Sequence, residues 1–299
     1  MKVIIPVAGK GERLMPHTAQ RQKALLPVGG KPVLDYIIEP LIAAGIDEIV
    51  LIVGHGGDQV REHMTLFPQV QSSFVEQKRP LGLGHAVSLG LDSSDAPAGI
   101  VLADSIFRLD YARFFDRRTN YIGVVEVDHP QRFGIVETDG SRIVDMVEKP
   151  SDPPTNLAIA GIYQVARQGE LLATIEGLME NDVRTKGEYQ LTDALKSMMG
   201  RGAQFQSFAL DEWLDCGTEQ TLLETNSALL EETGESFVHP SATVEGSFLM
   251  RSAVMERCEV VDSQLTDCIV LPGAKIRGCR FENAILAAGV TWNANEQAS

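Results

Sequence analysis

Residues 3–14 read VIIPVAGKGERL, an apolar run that leads directly into a loop with two glycines. The run Val3–Val7 is rich in β-branched residues, which is typical of a buried strand. Gly9 and Gly11 let the backbone turn sharply where this strand ends, so that its N–H groups can approach a phosphate. The same glycines also suit an ordinary structural turn, and the loop matches neither the Walker motif nor GxGxxG. The segment therefore predicts a strand followed by a loop that suits phosphate binding.

Strands and helices alternate through the next ninety or so residues. Apolar runs predict strands over 48–53, 71–75 and 100–103, and helical patterns predict helices over 32–44, 58–66 and 83–91. Such alternation with short links is typical of parallel strand–helix–strand units covered by helices on both faces. Pro6 predicts that strand pairing ends there, and Pro40 predicts a kink or a break in its helix. We therefore predict an α/β fold with a mixed, mainly parallel sheet.

After Tyr121 the pattern becomes mixed. Apolar runs over 133–137 and 142–147 flank Thr138-Asp139-Gly140, which predicts a β-hairpin. Further helices are predicted over 171–179, 191–199 and 219–230, and a further strand over 203–210.

The last sixty residues follow a different rule. Small residues recur at intervals of five or six, at Ala242, Ser247, Ala253, Cys258, Ser263, Cys268, Ala274, Cys279 and Ala284. An apolar residue follows each of them two positions later, at Val244, Leu249, Met255, Val260, Leu265, Val270, Ile276, Phe281 and Leu286. This period predicts a β-helix of the hexapeptide type, although chance alternation in an all-β tail gives a similar pattern. With about 150 residues per domain as a guide, we predict one domain over 1–235 and a second over 236–299.

The distribution of charge restricts the class of partner. The chain carries 26 Lys and Arg against 41 Asp and Glu, a formal net charge of −15. This excess of acid argues against a nucleic acid or an anionic membrane as partner, because either requires an extended basic face. Between Lys10 and Lys31, however, five bases stand against the single acid Glu12. A small basic segment on an acidic chain suits a small polyanion such as a nucleotide.

The composition also indicates a compartment. No apolar run approaches the roughly 18–20 residues that a membrane span needs. The N-terminus has the pattern of a first strand rather than of a signal peptide. Four cysteines without a CxxC pair indicate neither a disulfide framework nor a zinc site. We therefore expect a cytoplasmic protein in a reducing environment.

A series of motifs in one order resembles a known enzyme family. Residues 6–46, PVAGKGERLMPHTAQRQKALLPVGGKPVLDYIIEPLIAAGI, resemble the opening of the sugar-1-phosphate nucleotidylyltransferases, especially UDP-glucose and dTDP-glucose pyrophosphorylases. The resemblance continues through Glu76-Gln77, Gly82-Leu83-Gly84-His85-Ala86, Leu102-Ala103-Asp104, Phe133-Gly134-Ile135-Val136-Glu137, Glu148-Lys149-Pro150, Asn156, Gly161-Ile162-Tyr163, Gly187-Glu188-Tyr189 and Trp213-Leu214-Asp215-Cys216-Gly217-Thr218. It implies a Rossmann-like nucleotide-diphospho-sugar transferase fold. The tail resembles the left-handed parallel β-helix that some longer members carry.

The resemblance implies a reaction between two phosphorylated substrates. A nucleotidyl group passes from an NTP, with UTP or dTTP favoured, to a sugar 1-phosphate, with glucose 1-phosphate favoured, and pyrophosphate leaves. Arg13 and Lys23 would contact the triphosphate and the leaving group as catalytic residues. Ala8, Gly9 and Gly11 would supply backbone contacts to the nucleotide. Taken singly, Arg13 and Lys23 are equally well explained as solvated surface charges.

The base and the metal ion have their own implied residues. Gln77 and Gly82 would read the base, because an amide offers an acceptor beside a donor and so complements uracil or thymine. Asp104 and Asp215 would hold Mg²⁺, a hard ion that prefers carboxylate and phosphate oxygens. An isolated Gln is otherwise a surface residue, and an Asp after a strand is otherwise a loop or capping residue.

The sugar phosphate has a separate implied pocket. Glu148 would accept sugar hydroxyls and Lys149 would meet the phosphate, with Gly134 and Asn156 completing the pocket. A Glu-Lys pair alone is usually solvated charge.

Departures from the family pattern affect rate and substrate choice more than activity. Gln22 stands where the family usually has Pro before the lysine, and Ala103 and Ser105 flank Asp104 where Gly and Asn are common. His85 and Cys216 are interpreted as packing residues.

Two other functions fit parts of the sequence. A catalytically inactive relative that binds nucleotide-sugar as a regulatory subunit is the main alternative, although such a subunit has no need of paired metal carboxylates. An acyltransferase built on the β-helix is a second, but only His239 lies near the tail and its repeats are few. A short β-helix has open ends that a partner subunit can cover, so we expect a homo-oligomer through this region.

Overall fold

The computed structural model describes residues 1–294. The strands of its first part are β1 (Lys2–Val7), β2 (Pro27–Val28), β3 (Lys31–Pro32), β4 (Glu48–Val53), β5 (Gln71–Glu76), β6 (Ala98–Val101) and β7 (Ser105–Arg108). Those of the middle part are β8 (Tyr121–Glu126), β9 (Gly134–Asp139), β10 (Arg142–Glu148), β11 (Leu157–Val165), β12 (Gln206–Ala209) and β13 (Glu212–Asp215). The helices are α1 (Val33–Ala43), α2 (Gly57–Met64), α3 (Leu83–Ser88), α4 (Tyr111–Phe114), α5 (Gln168–Glu180), α6 (Leu191–Gly200) and α7 (Glu219–Thr233).

The chain packs as two compact units that are discontinuous in sequence. The first consists of Met1–Lys10 and Tyr36–Trp213, and the second of Gly11–Asp35 with the chain from Leu214 onward. Within the second unit, the fully buried Asn226 of α7 accepts from the Gly29 N–H at 3.0 Å and donates to the Arg251 carbonyl at 3.2 Å. This grouping differs from a boundary at residue 235, so the division into 1–235 and 236–299 stays a prediction.

A nine-stranded sheet forms the centre of the first unit, in the order β5-β4-β1-β6-β11-β8-β12-β10-β9. The strands β5, β4, β1 and β6 are parallel, as the alternation of strands and helices predicts. The strand β11 runs antiparallel to both β6 and β8, and β9 and β10 form the expected hairpin with Gly140 in its turn. The mixed α/β sheet is thus confirmed. Mainly parallel pairing is wrong, because antiparallel neighbours are as frequent as parallel ones.

The two prolines are tolerated better than expected. On the β6 side, β1 pairs only as far as Ile4, but on the β4 side pairing continues through Pro6 to Val7. Pairing therefore does not end at Pro6. Helix α1 likewise continues without a break through Pro40.

Helices and sheet share one apolar core in the first unit. Its buried members come from the sheet and from α3, α5 and α6, and include Ile4, Ile100, Ile122, Val165, Leu171, Leu195 and Phe205. No helix among residues 1–294 combines the length and the apolar character that a membrane span requires.

The C-terminal strands are stacked in parallel with a constant offset of sixteen residues. They are β14 (Phe237–Val238), β15 (Thr243–Glu245), β16 (Phe248–Met250), β17 (Ala253–Val254), β18 (Glu259–Val261), β19 (Gln264–Val270), β20 (Lys275–Arg277), β21 (Arg280–Leu286) and β22 (Thr291–Asn293). For example, Val244 pairs with Val260 and Val260 with Ile276, so that equivalent side chains form ladders. The small residues and the apolar residues of the sequence pattern supply most of the buried core of this stack.

Residues with positive φ mark the corners between strands. They recur at sixteen-residue spacing in three series: Gly246, Asp262 and Gly278; Arg251, Asp267 and Asn283; and Arg257, Gly273 and Gly289. A small residue follows each of the first eight corners in chain order, because the position after the turn faces the crowded interior. Sixteen residues with three corners account for the intervals of five and six in the sequence.

One repeat of the predicted pattern is shifted by a residue. Ser252, not Ala253, follows the corner at Arg251, and its hydroxyl accepts from the Cys268 N–H at 3.1 Å. Val254, not Met255, points into the stack, while Met255 packs beside Leu230. The prediction of Ala253 and Met255 as the small and apolar members is therefore wrong, because 252–255 offers two small and two apolar residues in succession.

We expect Leu265→Ala to lower the free energy of unfolding by about 2–5 kcal/mol, because Leu265 is fully buried and its truncation opens a cavity between its ladder neighbours Leu249 and Phe281. Urea denaturation followed by circular dichroism measures the change. The control is Gln264→Ala, an exposed neighbour on the same strand, which should stay within about 0.5 kcal/mol of wild type. Equal effects of the two substitutions would contradict an inward-facing Leu265.

Candidate active site

The predicted site residues fall into both compact units. Ala8, Gly9, Gln77, Gly82, Asp104, Gly134, Glu148, Lys149 and Asn156 belong to the first unit, and Gly11, Arg13, Lys23 and Asp215 to the second. Most of them lie in loops or at strand ends, the positions where parallel strands usually present functional groups.

Gln77 follows β5 and lies in a small hydrogen-bonded group. Its backbone N–H donates to the Val53 carbonyl at 2.8 Å, which ties it to the end of β4. Its side-chain Nε2 lies 2.9 Å from Nδ1 of His85 and 3.4 Å from the carbonyl of Gly82. Among residues 1–294, nothing donates to its Oε1 or accepts from the Gly82 N–H. Gln77 and Gly82, which were expected to act together, are thus brought together.

The glycines of this loop are required by a close backbone approach. A Cβ on Gly82 would lie 2.7 Å from the carbonyl oxygen and 2.8 Å from the nitrogen of Tyr189, and φ at Gly82 is +117°. A Cβ on Gly84 would lie 2.8 Å from the same carbonyl, which accepts from the Gly84 N–H. The Tyr189 N–H in turn donates to the Leu81 carbonyl at 2.9 Å. The segment around Tyr189 therefore fixes the loop that carries Gly82.

A second group forms around the end of the β9–β10 hairpin. Glu148 pairs with Gly134, where a Cβ would lie 3.1 Å from Glu148 Oε2. The Thr192 hydroxyl donates to the same oxygen at 2.7 Å, and Lys149 Nζ lies 3.4 Å from Oε1. Lys149 has φ of +45°, a backbone conformation that is rare for a side chain of this kind and that concentrates at functional sites. Three predicted sugar-site residues, Gly134, Glu148 and Lys149, are therefore adjacent.

Asp104 lies in the short link between β6 and β7. This link is positioned by β11, because the Leu102 N–H donates to the carbonyl of Gly161 at 2.9 Å. Gly161 has φ of +100° at a bulge in β11. Burial raises the pKa of the Tyr163 phenol strongly, and the charges of Glu148 and Asp104 raise it further. Both carboxylates thus lie near one buried phenol, which links Asp104 to the second group.

Asn156 is exposed and immediately precedes β11. Its carbonyl accepts from the Val127 N–H at 3.0 Å. Its side chain has no hydrogen-bond partner among the described residues. The structure gives no contact between this side chain and the other predicted sugar-site residues.

In the second unit, Gly11 and Lys23 are close together. The Thr18 hydroxyl donates to the Gly11 carbonyl at 2.8 Å, and a Cβ on Gly11 would lie 3.2 Å from Cβ of Lys23. Lys23 begins a 3-10 turn, Lys23–Leu25, and Arg13 lies exposed in another, Glu12–Leu14. Buried Gln22 caps the turn of Lys23, since its Oε1 accepts from the Ala24 N–H at 2.5 Å. Gln22 therefore orders the backbone of Lys23.

Asp215 is the last residue of β13 and is held by its own neighbours. Its Oδ1 accepts from the Gly217 N–H at 2.8 Å, and its carbonyl accepts from the Thr225 hydroxyl at 2.9 Å. Cys216 is a buried free thiol, as are Cys258, Cys268 and Cys279. Within residues 1–294, no three side chains of His, Cys, Asp or Glu form a metal-binding cluster.

Several residues of these groups were missed from sequence. His85 was interpreted as a packing residue, yet it contacts the amide of Gln77. Thr192, which contacts Glu148, lies 44 residues further along the chain, and Tyr163 was noted only as part of a motif. No local spacing signals these contacts, because each depends on which strands become neighbours.

The resemblance found in the sequence assigns Gly82 to a nucleotide site; on that expectation Gly82→Ala should weaken UTP binding at least about tenfold, because the added Cβ and the positive φ together force the loop away from Tyr189. Isothermal titration calorimetry measures the dissociation constant. Gly200→Ala, where a Cβ meets nothing within 4 Å, is the control and should bind UTP as wild type does. Unchanged UTP binding by Gly82→Ala would remove this loop from the nucleotide site.

The chain is similar in sequence to known nucleotidyltransferases. Over 260 residues the chain is 33% identical to the low-salt glycan biosynthesis nucleotidyltransferase Agl11 of Haloferax volcanii, covering 82% of this chain and 71% of that protein. It is 29% identical to a glucose-1-phosphate thymidylyltransferase of Streptomyces griseus, covering 96% of this chain and 91% of the other.

The fold resembles a crystal structure of UDP-glucose pyrophosphorylase complexed with UDP-glucose. The TM-score is 0.67 at 24% identity, over 77% of this chain and 98% of the other. A family model described as nucleotidyl transferase matches residues 2–232. The chain therefore belongs to the nucleotidyl transferase family and has its α/β fold.

Proposed function

We propose that this enzyme transfers a nucleotidyl group from UTP or dTTP to a sugar 1-phosphate, with glucose 1-phosphate as the favoured acceptor. The observation that carries the proposal is that the acceptor Gln77 Oε1 and the donor Gly82 N–H are both without partners in the described chain, in two residues joined by the 3.4 Å contact of Gln77 Nε2 with the Gly82 carbonyl. This pair complements the N3–H and a neighbouring carbonyl of uracil or thymine. The thymidylyltransferase and pyrophosphorylase relatives support the same substrate class.

The proposed chemistry needs positioning and charge neutralisation rather than covalent work by the protein. A phosphate oxygen of the sugar phosphate attacks the α-phosphorus of the NTP in line, its bond to phosphorus forms, and the bond to pyrophosphate breaks. Arg13 and Lys23 are the groups proposed to neutralise the charge that develops on the leaving pyrophosphate. Ala8, Gly9 and Gly11 would direct backbone groups at the nucleotide, and a Cβ on Gly9 would meet only open space.

Asp104 and Asp215 fit a magnesium ion by their chemistry. Both are carboxylates beside strand ends, and Mg²⁺ is commonly held by one or two carboxylates together with substrate phosphates. When bound, the ion would neutralise phosphate charge. The protein's contribution would be to fix the link that carries Asp104 through the hydrogen bond from the Leu102 N–H to the Gly161 carbonyl, and to orient Asp215 through the Gly217 N–H.

The proposed acceptor pocket is the group around Glu148. Its carboxylate accepts from the Thr192 hydroxyl, which orients it, and lies beside Lys149 Nζ. The carboxylate would accept hydrogen bonds from sugar hydroxyls, and the ammonium group would bind the phosphate. Gly134 leaves room beside Glu148, and Asn156 is proposed as a further polar contact. The acceptor phosphate would thus meet Lys149 rather than the cations proposed for the triphosphate.

An inactive nucleotide-sugar-binding subunit is the alternative. A regulatory subunit would need the base-reading pair but neither two cations nor two metal carboxylates. The presence of Arg13, Lys23, Asp104 and Asp215 in this chain therefore favours the enzyme.

For the C-terminal region we propose a separate left-handed parallel β-helix that joins subunits; of its predicted span, 236–299, the last five residues lie outside the described residues. The sixteen-residue offset and the three corners per repeat support a β-helix of this type. β16 pairs only with β19 among the described strands and exposes Phe248 and Met250. An unpaired edge with apolar side chains suits contact with a second copy of the chain.

A cytosolic location is proposed as well. Its support is the four cysteines, which are buried free thiols in a chain that forms no disulfide between them.

We expect wild-type enzyme to release pyrophosphate from UTP or dTTP with glucose 1-phosphate and Mg²⁺, and EDTA to abolish the release. A coupled pyrophosphate assay measures this release.

In the same assay, Arg13→Ala should lower kcat/KM by about 100- to 1,000-fold, the effect of losing one hydrogen-bond donor to the charge that develops on the leaving group. Arg142→Ala, an exposed arginine paired with Asp139, is the control. No release with any NTP would favour the inactive alternative, and an unaffected Arg13→Ala would remove Arg13 from the reaction.

Sedimentation velocity tests the proposed assembly. We expect wild type to sediment as an oligomer and Phe248→Glu to shift it towards the monomer, because a charge enters an apolar contact. Leu66→Glu, at an exposed apolar residue of the first unit, should leave the oligomer intact. A wild-type monomer, or a Phe248→Glu oligomer, would contradict assembly through β16.

A further inference from the structure

The side chain of His85 raises a question that the proposed base contacts leave open. A glutamine amide can present either its oxygen or its NH₂ group to a ligand, and the two orientations recognise opposite hydrogen-bond patterns. Base selection by Gln77 therefore requires something that fixes which end faces the nucleotide. Two neighbours of Gln77, the Gly82 carbonyl and the ring of His85, contact the same atom of the amide.

The carbonyl of Gly82 indicates which end of the Gln77 amide faces it. A carbonyl oxygen can only accept hydrogen bonds, so the atom of Gln77 that lies 3.4 Å from it is the NH₂ group. This contact is long, and the same carbonyl already accepts from the Ala86 N–H at 3.1 Å. The carbonyl alone is thus a weak constraint on Gln77.

His85 supplies the stronger constraint. Its Nδ1 lies 2.9 Å from the same NH₂ group and must carry a lone pair to accept from it, which places the ring proton on Nε2. Burial, and secondarily the charge of Arg79, lower the pKa of His85, so that the neutral ring predominates at neutral pH. His85 is on α3, whose first turn is held by the backbone of Tyr189, so the acceptor is positioned independently of Gln77.

We propose that His85 is a positioning residue for base selection, holding the Gln77 amide with its NH₂ group towards the His85 ring and its Oε1 towards the nucleotide. An outward oxygen accepts the N3–H of uracil or thymine but faces the lone pair of cytosine N3, so the enzyme selects UTP or dTTP over CTP. This inference rests on the proposed function, because it requires Gln77 to meet the base. It assigns to His85 a role other than packing.

The test compares two substitutions of His85 by the ratio of kcat/KM for UTP to that for CTP. His85→Leu removes the acceptor while keeping an apolar side chain, and the ratio should fall about tenfold, within the range for one misread base contact. The fall in kcat/KM for UTP should come mainly from a higher KM, since His85 does not contact the reacting phosphates in this proposal. His85→Asn can return an acceptor from Oδ1 near the position of Nδ1 and should restore most of the ratio. His129→Leu, at an exposed histidine, is the control.

A double-mutant cycle separates positioning from packing. If His85 acts through the amide, His85→Leu in a Gln77→Ala background should leave the UTP-to-CTP ratio where Gln77→Ala alone puts it. Dissociation constants for UTP and CTP, measured by calorimetry, give the same ratio without turnover. Melting temperatures establish whether each variant is folded.

The outcomes distinguish this inference from the proposed function. Wild type that binds and turns over UTP in preference to CTP, with an unchanged ratio in His85→Leu, overturns the role of His85 alone. A fall in the UTP-to-CTP ratio that His85→Leu also causes in the Gln77→Ala background overturns it as well, because the effect then does not act through the Gln77 amide. Absence of turnover with every NTP counts against the proposed function, and the binding ratio then still decides the role of His85.

Discussion

The close approach of two backbone segments determines the geometry of the loop that carries Gly82. Residues 81–84 lie against Tyr189 through hydrogen bonds in both directions, at a distance that leaves no room for a Cβ on Gly82 or Gly84. Because β5 ends just before this loop and α3 begins within it, the approach also sets where Gln77 and His85 meet. The position of Gln77 relative to Gly82 and His85 thus depends on a contact between segments more than one hundred residues apart in sequence.

The parts of the fold that follow from local pattern were predictable. β1, β4 and the β9–β10 hairpin each have a continuous apolar run or a turn signal, and their bounds agree with the structure to within two residues. β11 was not predicted, although it is almost entirely buried, because Gly161 interrupts its run at a bulge. Its antiparallel position between β6 and β8 is what makes the sheet mixed, and no local signal specifies that position.

Candidate site residues could be chosen from the sequence, but the contacts among them could not. The order of the motifs identifies Gly82, Gln77 and Glu148 as candidates, and the structure brings Gln77 to Gly82 and Glu148 to Gly134 and Lys149. The residues that orient them, His85 and Thr192, have no charge or unusual spacing to reveal them. Orientation is a property of neighbouring elements, so it follows from tertiary structure alone.

The regular spacing of the corners in the C-terminal stack limits how such a tail can change in length. Every corner is in register with the corner sixteen residues away, and the small side chain after each of the first eight corners occupies the crowded interior. Gain or loss of a single residue would misalign every later rung, whereas gain or loss of sixteen would leave the remaining ladders intact. Viable tails among relatives of this chain should therefore differ by whole turns, so that tail length is inherited in discrete steps.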